Sequence, residues 1–407
     1  MNQLSRQKMP NAEPGFASPE PVANLVFEDA ADLARRLMPE DPVLCFSEEA
    51  LRERVRAFVD GFPGELSYAV KANSDEMVLR SAAAAGVTVF DVASVHEIRH
   101  VRSIAPAAGL HYHNPVKSRE EIAEAFETFG CLRFAADDLQ EIDKIQAVVG
   151  NAPGIEIAVR FRLPRLGGSS AHDFSSKFGA TRPEALELLK AVAMRGYGAA
   201  LTFHPGSQCT QPIAYYRHIA AAAKLARRAS VRLAALNVGG GFPARYRDAE
   251  ETPPLGAYFD EIREAVKEEF GDTAPGLECE PGRGIVAPCM SLLTRVKLVK
   301  PKRGEVFMND GIYGTLMEIY QVRDIVPPVR AIRDGQTLGG PTRAFTLYGP
   351  TCDPLDTLPV KFELPVDLRE NDFIEFGSVG AYGAATSTRF NGYGGALRYR
   401  VNNVLST

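Results

Sequence analysis

The sequence predicts an α/β protein in which a (β/α)8 TIM barrel is followed by a second, C-terminal antiparallel β-domain. Short β-rich runs alternate regularly with helical segments between residues 42 and 284. Eight such runs, each followed by a helix, are what a closed barrel of parallel strands requires. The runs span 66–71, 87–92, 109–114, 131–136, 155–161, 198–204, 233–239 and 276–280.

A doubly wound open sheet is the competing architecture for this alternation. Such a sheet usually has fewer strands and binds its ligand through a glycine-rich turn after the first strand. No glycine-rich turn follows the first run, 66–71. The barrel is therefore the preferred prediction.

The pattern changes after residue 284. Short alternating runs separated by Gly/Pro turns, without long helical stretches, predict an antiparallel β-domain over 285–407, completed by residues 21–41. Residues 1–20 are polar and proline-rich and have no apolar run, so we expect a flexible tail and not a secretory signal.

Composition excludes several classes of protein. With 46 basic and 51 acidic residues, the formal net charge is −5, which gives no reason to expect a nucleic-acid partner. No run approaches the roughly 20 apolar residues of a membrane span. The six cysteines are scattered without a CxxC pair, and the histidines lack metal-site spacing, so we expect a cytoplasmic protein with reduced thiols and no bound metal.

Polar residues close otherwise apolar strands in this sequence. Active sites of (β/α)8 barrels lie at the C-terminal ends of the strands, and charged side chains are poor core material. A run of such residues around one rim therefore predicts a single site. The residues are Lys71, Asp91, Asn114, Asp137, Arg160, His204, Gly239, Gly240, Gly241, Glu280 and Arg283.

Lys71 and the last two strand ends suggest a cofactor that carries an aldehyde and a phosphate. Burial at a strand end would lower the pKa of Lys71 and favour the neutral amine that attacks an aldehyde, although a surface role is commoner for a lone lysine. Loops after strands seven and eight are the recurring phosphate site of these barrels. Gly239–Gly241 and Arg283 occupy those loops, although three glycines also suit a flexible turn.

Three further side chains extend this hypothesis. Glu280, in the segment EPGR, could face a pyridine nitrogen and make the ring a strong electron sink, or could form a rim salt bridge with Arg283. His204, in HPGSQ, could lie flat on such a ring or have a structural role. Cys352, in a turn-rich loop, could be a proton donor or a small buried hydrophobe.

The segment Tyr68-Ala69-Val70-Lys71-Ala72-Asn73 resembles the lysine motif of the fold-type III, alanine-racemase-like decarboxylases that use pyridoxal 5′-phosphate (PLP). The segments HPGSQ, GGGFP, EPGR, GPTCDPLD and Gly380-Ala381-Tyr382 follow in the order of that family. The resemblance covers nearly the whole chain. It implies decarboxylation of an amino acid, with Lys71 carrying PLP as a Schiff base.

The resemblance also implies a role for each matching residue. Asp91 would lie near Lys71, Arg160 near the phosphate side, His204 on the ring, and Glu280 against the pyridine nitrogen. Cys352 would protonate Cα after carbon dioxide leaves. The phosphate would be held by Ser207, Gly239, Gly240, Gly241, Gly282, Arg283 and Tyr382, and the substrate by Cys352, Asp353 and Phe390, with Asp324 as a further candidate that the resemblance does not supply.

In this family the cysteine-bearing loop reaches into the site of a second subunit. The resemblance therefore implies an obligate homodimer with shared active sites. Lys177 and Asp356 match positions that pair across that dimer interface.

Within the family, Glu280 argues against an alanine racemase, which has an arginine at the pyridine nitrogen. GPTCDPLD and Phe390-Asn391-Gly392-Tyr393 resemble ornithine decarboxylases, including the bacterial lysine/ornithine kind, whereas diaminopimelate decarboxylases usually have Cys-Glu-Ser in that loop. We therefore expect conversion of L-ornithine to putrescine, or of lysine to cadaverine.

One segment departs from the ornithine decarboxylase pattern. The Tyr-Asp pair that follows the NDGxYG segment in those enzymes, and whose Asp receives the distal ammonium, falls here on Gln321-Val322. Asp324 or Glu318 could substitute if the loop shifts. Otherwise an unpaired ammonium would be costly to bury, and the same chemistry on a non-basic or conjugated amino acid is the alternative. A non-catalytic PLP carrier is a further alternative, against which the intact set of Lys71, Glu280 and Cys352 argues.

Overall fold

The computed structural model describes residues 25–164, 170–172, 177–247, 252–322 and 325–406. The predicted tail, 1–20, lies outside these residues. Within them the strands are β1 Val26–Phe27, β2 Val43–Phe46, β3 Glu65–Ala69, β4 Val89–Val92, β5 Gly109–Tyr112, β6 Arg133–Ala136, β7 Glu156–Arg160, β8 Ser170–His172, β9 Gly198–Thr202, β10 Ser207–Cys209, β11 Ala235–Asn237, β12 Gly276–Cys279, β13 Met290–Lys300, β14 Glu305–Met308, β15 Val329–Arg333, β16 Gln336–Thr337, β17 Thr342–Tyr348, β18 Phe362–Pro365, β19 Phe373–Phe376 and β20 Leu397–Val401.

The α-helices of the described residues are α1 Ala30–Leu37, α2 Glu48–Gly61, α3 Glu76–Ala84, α4 Val95–Ile104, α5 Arg119–Ala123, α6 Leu139–Val149, α7 Arg182–Met194, α8 Ile213–Ala229, α9 Leu255–Phe270, α10 Arg283–Val286, α11 Met317–Gln321 and α12 Gly383–Thr386. Several begin at a polar cap directly after a barrel strand. Ser94, for example, accepts a hydrogen bond from Glu97 N at the start of α4, which satisfies one of the free N–H groups of that first turn.

The predicted barrel is confirmed. Its eight strands close in the order β3-β4-β5-β6-β7-β9-β11-β12, and every neighbouring pair is parallel. The largest apolar cluster fills the space between these strands and the surrounding helices. Inside the barrel, Ala158, Ala200 and Ala235 form a small cluster of their own. Because alanine is small, the barrel interior keeps room for polar side chains.

The second domain is also confirmed, as a ten-stranded sheet that runs β1-β20-β2-β13-β14-β17-β18, with β15, β16 and β19 attached through β13. Most of its pairs are antiparallel, but β1 with β20, β2 with β20 and β14 with β17 are parallel. Strand β2 lies in the range 42–284 that was assigned to the barrel, yet it pairs with β13 and β20. A short, fully buried run does not show which sheet it will join.

The two domains meet beside the first barrel strand. Asn73 Nδ2 donates to Gly380 O at 2.7 Å, and Tyr382 N donates to Ala72 O at 2.8 Å. The β-domain thus closes one side of the barrel mouth, next to Lys71. Among the described residues, every helix is too short or too polar to serve as a membrane span.

Candidate active site

Lys71 lies in the short 3-10 turn Val70–Ala72, directly after β3. Its Nζ donates to Asp91 Oδ2 at 3.0 Å, and the side chain of Lys71 is 44% exposed whereas that of Asp91 is 3% exposed. Burial alone would lower the pKa of Lys71, but the Asp91 and Glu280 carboxylates outweigh it and raise the pKa. The predicted lowering of this pKa is therefore wrong, because the sequence shows the strand end but not the carboxylates that neighbour it.

Glu280 follows β12 and is buried. Its Oε1 accepts a hydrogen bond from Asn237 Nδ2 at 2.7 Å and is in close contact with His113 Nδ1. Burial would raise the pKa of Glu280, but His113 and Lys71 hold it well below its usual range. All hydrogen bonds that Glu280 accepts from the described residues end on Oε1. The carboxylate is therefore ionised and has Oε2 left for a ligand.

Gly239, Gly240 and Gly241 follow β11 at the same mouth. A Cβ atom on Gly240 would lie 2.7 Å from Glu280 O, and one on Gly241 would lie 2.6 Å from Gly206 O. No side chain fits at such distances, so a ligand can approach the backbone of Gly240 and Gly241 closely. A loop of this kind fits a phosphate group.

Arg283 begins α10 and is buried. Its Nε and Nη2 lie 3.4 Å and 3.3 Å from Ser207 Oγ, and Nη1 donates to Tyr246 OH at 2.9 Å. Its carboxylate partner is Glu318 of α11. The alternative of a Glu280–Arg283 salt bridge is therefore wrong for the described structure.

Tyr382 completes this end of the site. The guanidinium carbon of Arg283 lies 5.2 Å from the centre of its ring. Tyr382 has a left-handed backbone, with φ of 58°, which is uncommon for a side chain of this size and concentrates at functional sites. Ser207, Arg283 and Tyr382 thus lie together, as predicted for a phosphate site. Gly282 lies next to Arg283, and a Cβ on it would lie 2.6 Å from Ala72 Cβ.

Arg160 and His204 lie on neighbouring strand ends. The guanidinium carbon of Arg160 is 5.5 Å from the centre of the Phe178 ring. His204 Nδ1 accepts a hydrogen bond from Gly206 N at 3.0 Å. Burial and the nearby Arg160 lower the pKa of His204 to about 3. The imidazole is therefore neutral, a state that suits stacking on an aromatic ring.

Cys352 lies in the β-domain with an exposed thiol. Its N and Sγ lie 3.3 Å and 3.4 Å from Asn391 Oδ1. Asp353 accepts a hydrogen bond from Tyr313 OH at 2.6 Å, which lowers the pKa of Asp353. The rings of Tyr313 and Phe390 lie 4.8 Å apart. These side chains form one cluster on the chain, and Cys352 is not the buried hydrophobe of the alternative reading.

Asp356 has an internal role in the chain. It is 2% exposed and accepts hydrogen bonds from Ile312 N at 3.0 Å, Thr351 N at 3.0 Å and Thr351 Oγ1 at 2.8 Å. These bonds order the loop that carries Asp356. The pairing of Asp356 with Lys177 of a second subunit stays a prediction.

The sequence suggests that Glu318 or Asp324, in the segment 318–324, could bind the distal ammonium of the substrate. Glu318 is engaged by Arg283, so it does not substitute for the missing carboxylate. Val322 is 8% exposed and packs in the main apolar cluster. Asp324, predicted to bind substrate, and the adjacent Arg323 lie outside the described residues.

Sequence reasoning missed His113, Asn237 and Tyr246, and it missed the pairing of Glu318 with Arg283. One signal for His113 was present, because residues two apart on a strand point to the same face and His113 lies two residues after His111, which is in β5. The other three depend on contacts between distant segments. Asn237, for instance, joins the glycine loop to Glu280 by accepting from Gly239 N at 2.8 Å.

Two groups of possible metal ligands occur in the described part of the chain. Asp91, His113 and Glu280 belong to the site above, and Glu65, His111 and Glu278 lie further down the barrel. The guanidinium of Arg133 occupies the second group, with Nη1 3.0 Å from Glu65 Oε2 and 2.8 Å from His111 Nε2 and in contact with Glu278. The Arg133 guanidinium therefore supplies the positive charge among Glu65, His111 and Glu278.

These positions fit PLP. A lysine amine is at the barrel mouth, a glycine loop and a buried arginine lie where a phosphate is expected, and an ionised carboxylate is available for a pyridine nitrogen. The arrangement is that of a PLP enzyme built on a (β/α)8 barrel.

Comparisons with known proteins agree with this class. The family model for the pyridoxal-dependent decarboxylases, pyridoxal binding domain, matches residues 48–287. A lysine/ornithine decarboxylase of Selenomonas ruminantium is 31% identical over 376 residues, which cover 90% of each protein. The arginine decarboxylase of Paramecium bursaria Chlorella virus, bound to agmatine, is similar in structure with a TM-score of 0.81 at 26% identity, covering 91% of this chain and 99% of that one.

A lysine/ornithine decarboxylase from Vibrio vulnificus, complexed with cadaverine, gives a TM-score of 0.78 at 28% identity, over 91% of this chain and 97% of that one. The chain belongs to the family of PLP-dependent decarboxylases that act on ornithine, lysine and arginine. It is a PLP-dependent amino-acid decarboxylase, and pyridoxal 5′-phosphate is its cofactor.

Proposed function

We propose that this decarboxylase converts L-ornithine to putrescine, with conversion of L-lysine to cadaverine as the nearest related reaction. The observation that carries the proposal is the position of Asp353, an ionised carboxylate that lies next to Cys352 and is hydrogen-bonded to Tyr313 at 2.6 Å. A basic substrate needs such a group for its distal ammonium. Relatives that act on ornithine and lysine support the same class of substrate.

The carboxylates of the segment 309–322 are both engaged elsewhere. Asp310 accepts hydrogen bonds from Gly311 N at 2.9 Å and Thr315 N at 3.1 Å, and Glu318 pairs with Arg283. Neither is therefore available to a substrate's tail without losing a buried partner. Asp353 is half-buried and keeps an exposed face, so it is the carboxylate that we assign to the distal ammonium.

The remaining roles follow from the chemistry of the side chains. When bound, PLP would supply an electron-poor ring as the electron sink that decarboxylation at Cα needs. Lys71 anchors the cofactor covalently, and the loop Gly239–Gly241 and Arg283 hold its phosphate. Glu280, through Oε2, keeps a proton on the pyridine nitrogen. Cys352 then donates a proton to Cα after carbon dioxide leaves.

The positions of these residues support a homodimer with shared sites. Cys352 is the exposed thiol of the six, the other five being buried, and the ring of Phe390 is 42% exposed. A proton donor for Cα must work in a site that excludes water. We therefore propose that Cys352, Asp353 and Phe390 of one protomer complete the Lys71 site of its partner.

The substrate is tested by measuring carbon dioxide release from purified holoenzyme supplied with ornithine, lysine and arginine, and with a panel of neutral, acidic and conjugated amino acids. We expect ornithine to have the highest kcat/KM. Asp353→Asn should raise KM for ornithine with less effect on any neutral substrate, since the amide keeps the shape but not the charge. If none of the basic amino acids releases carbon dioxide, the substrate assignment is wrong.

Val322 favours a second candidate, decarboxylation of a non-basic or conjugated amino acid. This apolar side chain stands where ornithine decarboxylases have the aspartate of their Tyr-Asp pair, and it is buried. The double variant Gln321→Tyr with Val322→Asp separates the two candidates. If the wild type acts only on non-basic substrates and this variant gains ornithine activity, the second candidate is correct.

A further inference from the structure

Two buried histidines with different charged neighbours lie in strand β5 and directly after it. The rings of His111 and His113 lie 5.2 Å apart, and both residues are buried. Arg133 Nη1 lies 2.8 Å from His111 Nε2, whereas His113 Nδ1 is in close contact with Glu280 Oε1. His111 thus lies against a guanidinium and also has the carboxylates of Glu65 and Glu278 at 3.6 Å and 3.7 Å, whereas His113 is in direct contact with a carboxylate.

The charged groups around His113 come from several barrel strands. Glu280 and Glu278 lie at and near the end of β12, Asp91 on β4, and His111 on β5, with His113 itself just after that strand. Burial opposes a charge on His113, but Glu280 and Asp91 raise its pKa above the usual value. Burial and the neighbouring His113 lower the pKa of His111 well below the usual value. The geometry and the charges agree that His113 is the imidazolium.

We infer that His113 is a positioning residue for the decarboxylation: as an imidazolium on Oε1, it keeps Glu280 ionised and oriented so that Oε2 meets the pyridine nitrogen. This inference rests on the proposed pairing of Glu280 with that nitrogen. Asn237 holds the same oxygen at 2.7 Å, so two donors fix one side of the carboxylate. A carboxylate that its neighbours already hold in one orientation loses less conformational entropy when it binds a ligand. The neighbouring residues thereby keep the geometry of the site well defined.

The expected chemical consequence is that the proton between Glu280 and the pyridine nitrogen stays on the nitrogen. Between a pyridine nitrogen and a carboxylate, the proton stays on the nitrogen when the carboxylate is the weaker base. An imidazolium in contact with Glu280 stabilises its anionic form and so weakens it as a base. Without His113, only Lys71 and Arg160 of these cations would oppose the effects of burial and of Asp91, so the pKa of Glu280 would rise and the ring would withdraw electrons less strongly. His113 thus acts on the reaction through Glu280 without touching the substrate.

The test uses holoenzyme reconstituted with PLP that carries an NMR-active isotope at the ring nitrogen, whose chemical shift reports protonation. His113→Leu removes both charge and hydrogen bond, and His113→Asn keeps a donor at the position of Nδ1 without the charge. We expect both variants to shift the signal away from that of a protonated nitrogen, and kcat to fall about tenfold, with KM changed less than about twofold. His113→Asn provides the test if His113→Leu does not fold.

His111→Leu is the matched control, because it removes an equally buried histidine two residues earlier, whose contacts are with Arg133, Glu65 and Glu278. It should leave the nitrogen signal as in the wild type. Glu280→Gln tests the pairing of Glu280 with the pyridine nitrogen separately from the role of His113. If Glu280→Gln shifts the signal but both His113 variants retain the wild-type signal and kcat, the inference about His113 is overturned while the role of Glu280 stands. If Glu280→Gln also leaves the signal unchanged, the proposed pairing of Glu280 is wrong, and the role of His113 is wrong with it.

Discussion

Arg283 and Glu318 form a buried ion pair at the phosphate end of the candidate site, with side chains that are 5% and 10% exposed. Arg283 also faces Ser207 and Tyr246, so its guanidinium is surrounded by groups that fix its position. A phosphate placed on this arginine would bring a second anion close to the Glu318 carboxylate, and like charges repel. Glu318 should therefore stabilise the protein before the cofactor binds and oppose the cofactor's phosphate.

Glu318→Gln tests this relationship. The apoenzyme should lose about 3 kcal/mol of its free energy of unfolding, because Arg283 is left buried without an anion. The affinity for PLP should rise about tenfold, because one like charge is removed near the phosphate. Urea unfolding of the apo and holo forms and titration of the apoenzyme with PLP measure both effects. Glu318→Asp, which keeps the charge, is the control, and equal losses in the apo and holo forms would contradict the prediction.

Gly240→Ala tests the phosphate loop. The backbone of Gly240 does not have a positive φ, so the substitution acts through contact alone, with a Cβ atom 2.7 Å from Glu280 O. The loop must shift to relieve this contact, which should weaken PLP binding by about tenfold or more. Gly256→Ala in α9 is the matched control, since nothing lies within 4 Å of the added methyl group. It should stabilise the protein slightly and leave PLP binding unchanged. Equal PLP affinity in the two variants would argue against a phosphate at Gly240.

Mixing two impaired variants tests the shared active site. Lys71→Ala should lose the visible absorbance of covalently bound PLP, whereas Cys352→Ala should keep it and show slow turnover or a wrongly protonated product. If protomers exchange freely, half of the dimers carry one intact site, so activity should recover to about a quarter of the wild-type value. Carbon dioxide release before and after mixing measures the recovery. No recovery in a sample shown to contain mixed dimers would mean that each chain builds its own site.

His204 predicts part of the dependence of stability on pH. Its pKa of about 3 in the folded protein lies below the ordinary histidine value near 6.5, so the unfolded chain takes up a proton that the folded protein refuses. The free energy of unfolding should therefore fall as the pH drops from about 6.5 towards 3. His204→Gln should remove this part of the slope, as measured by urea unfolding at several pH values. A slope that is identical in the variant and the wild type would show that His204 is not buried in its neutral form.

The sequence by itself determined the barrel and the ends of its strands. The alternation of β-rich runs and helices sufficed because a closed parallel barrel has a regular pattern, and strand ends then meet at one mouth. Lys71, Asp91, Glu280 and the loop Gly239–Gly241 were found in this way, since each lies at or just after the end of a recognisable strand. The short alternating strands after residue 284 predicted the second domain. They did not predict its parallel strand pairs, or that β2 belongs to its sheet.

Only the tertiary structure decided which charged groups are partners. Glu280 pairs with His113, 167 residues away in sequence, and Arg283 with Glu318, 35 residues away, whereas the sequence suggested a pair between Glu280 and Arg283 because they are close neighbours along the chain. The pKa of Lys71 reversed its expected direction for the same reason, since it depends on carboxylates from other strands. Strand ends are fixed by local periodicity, but the field at a buried atom is a sum over every charge that the fold brings near it.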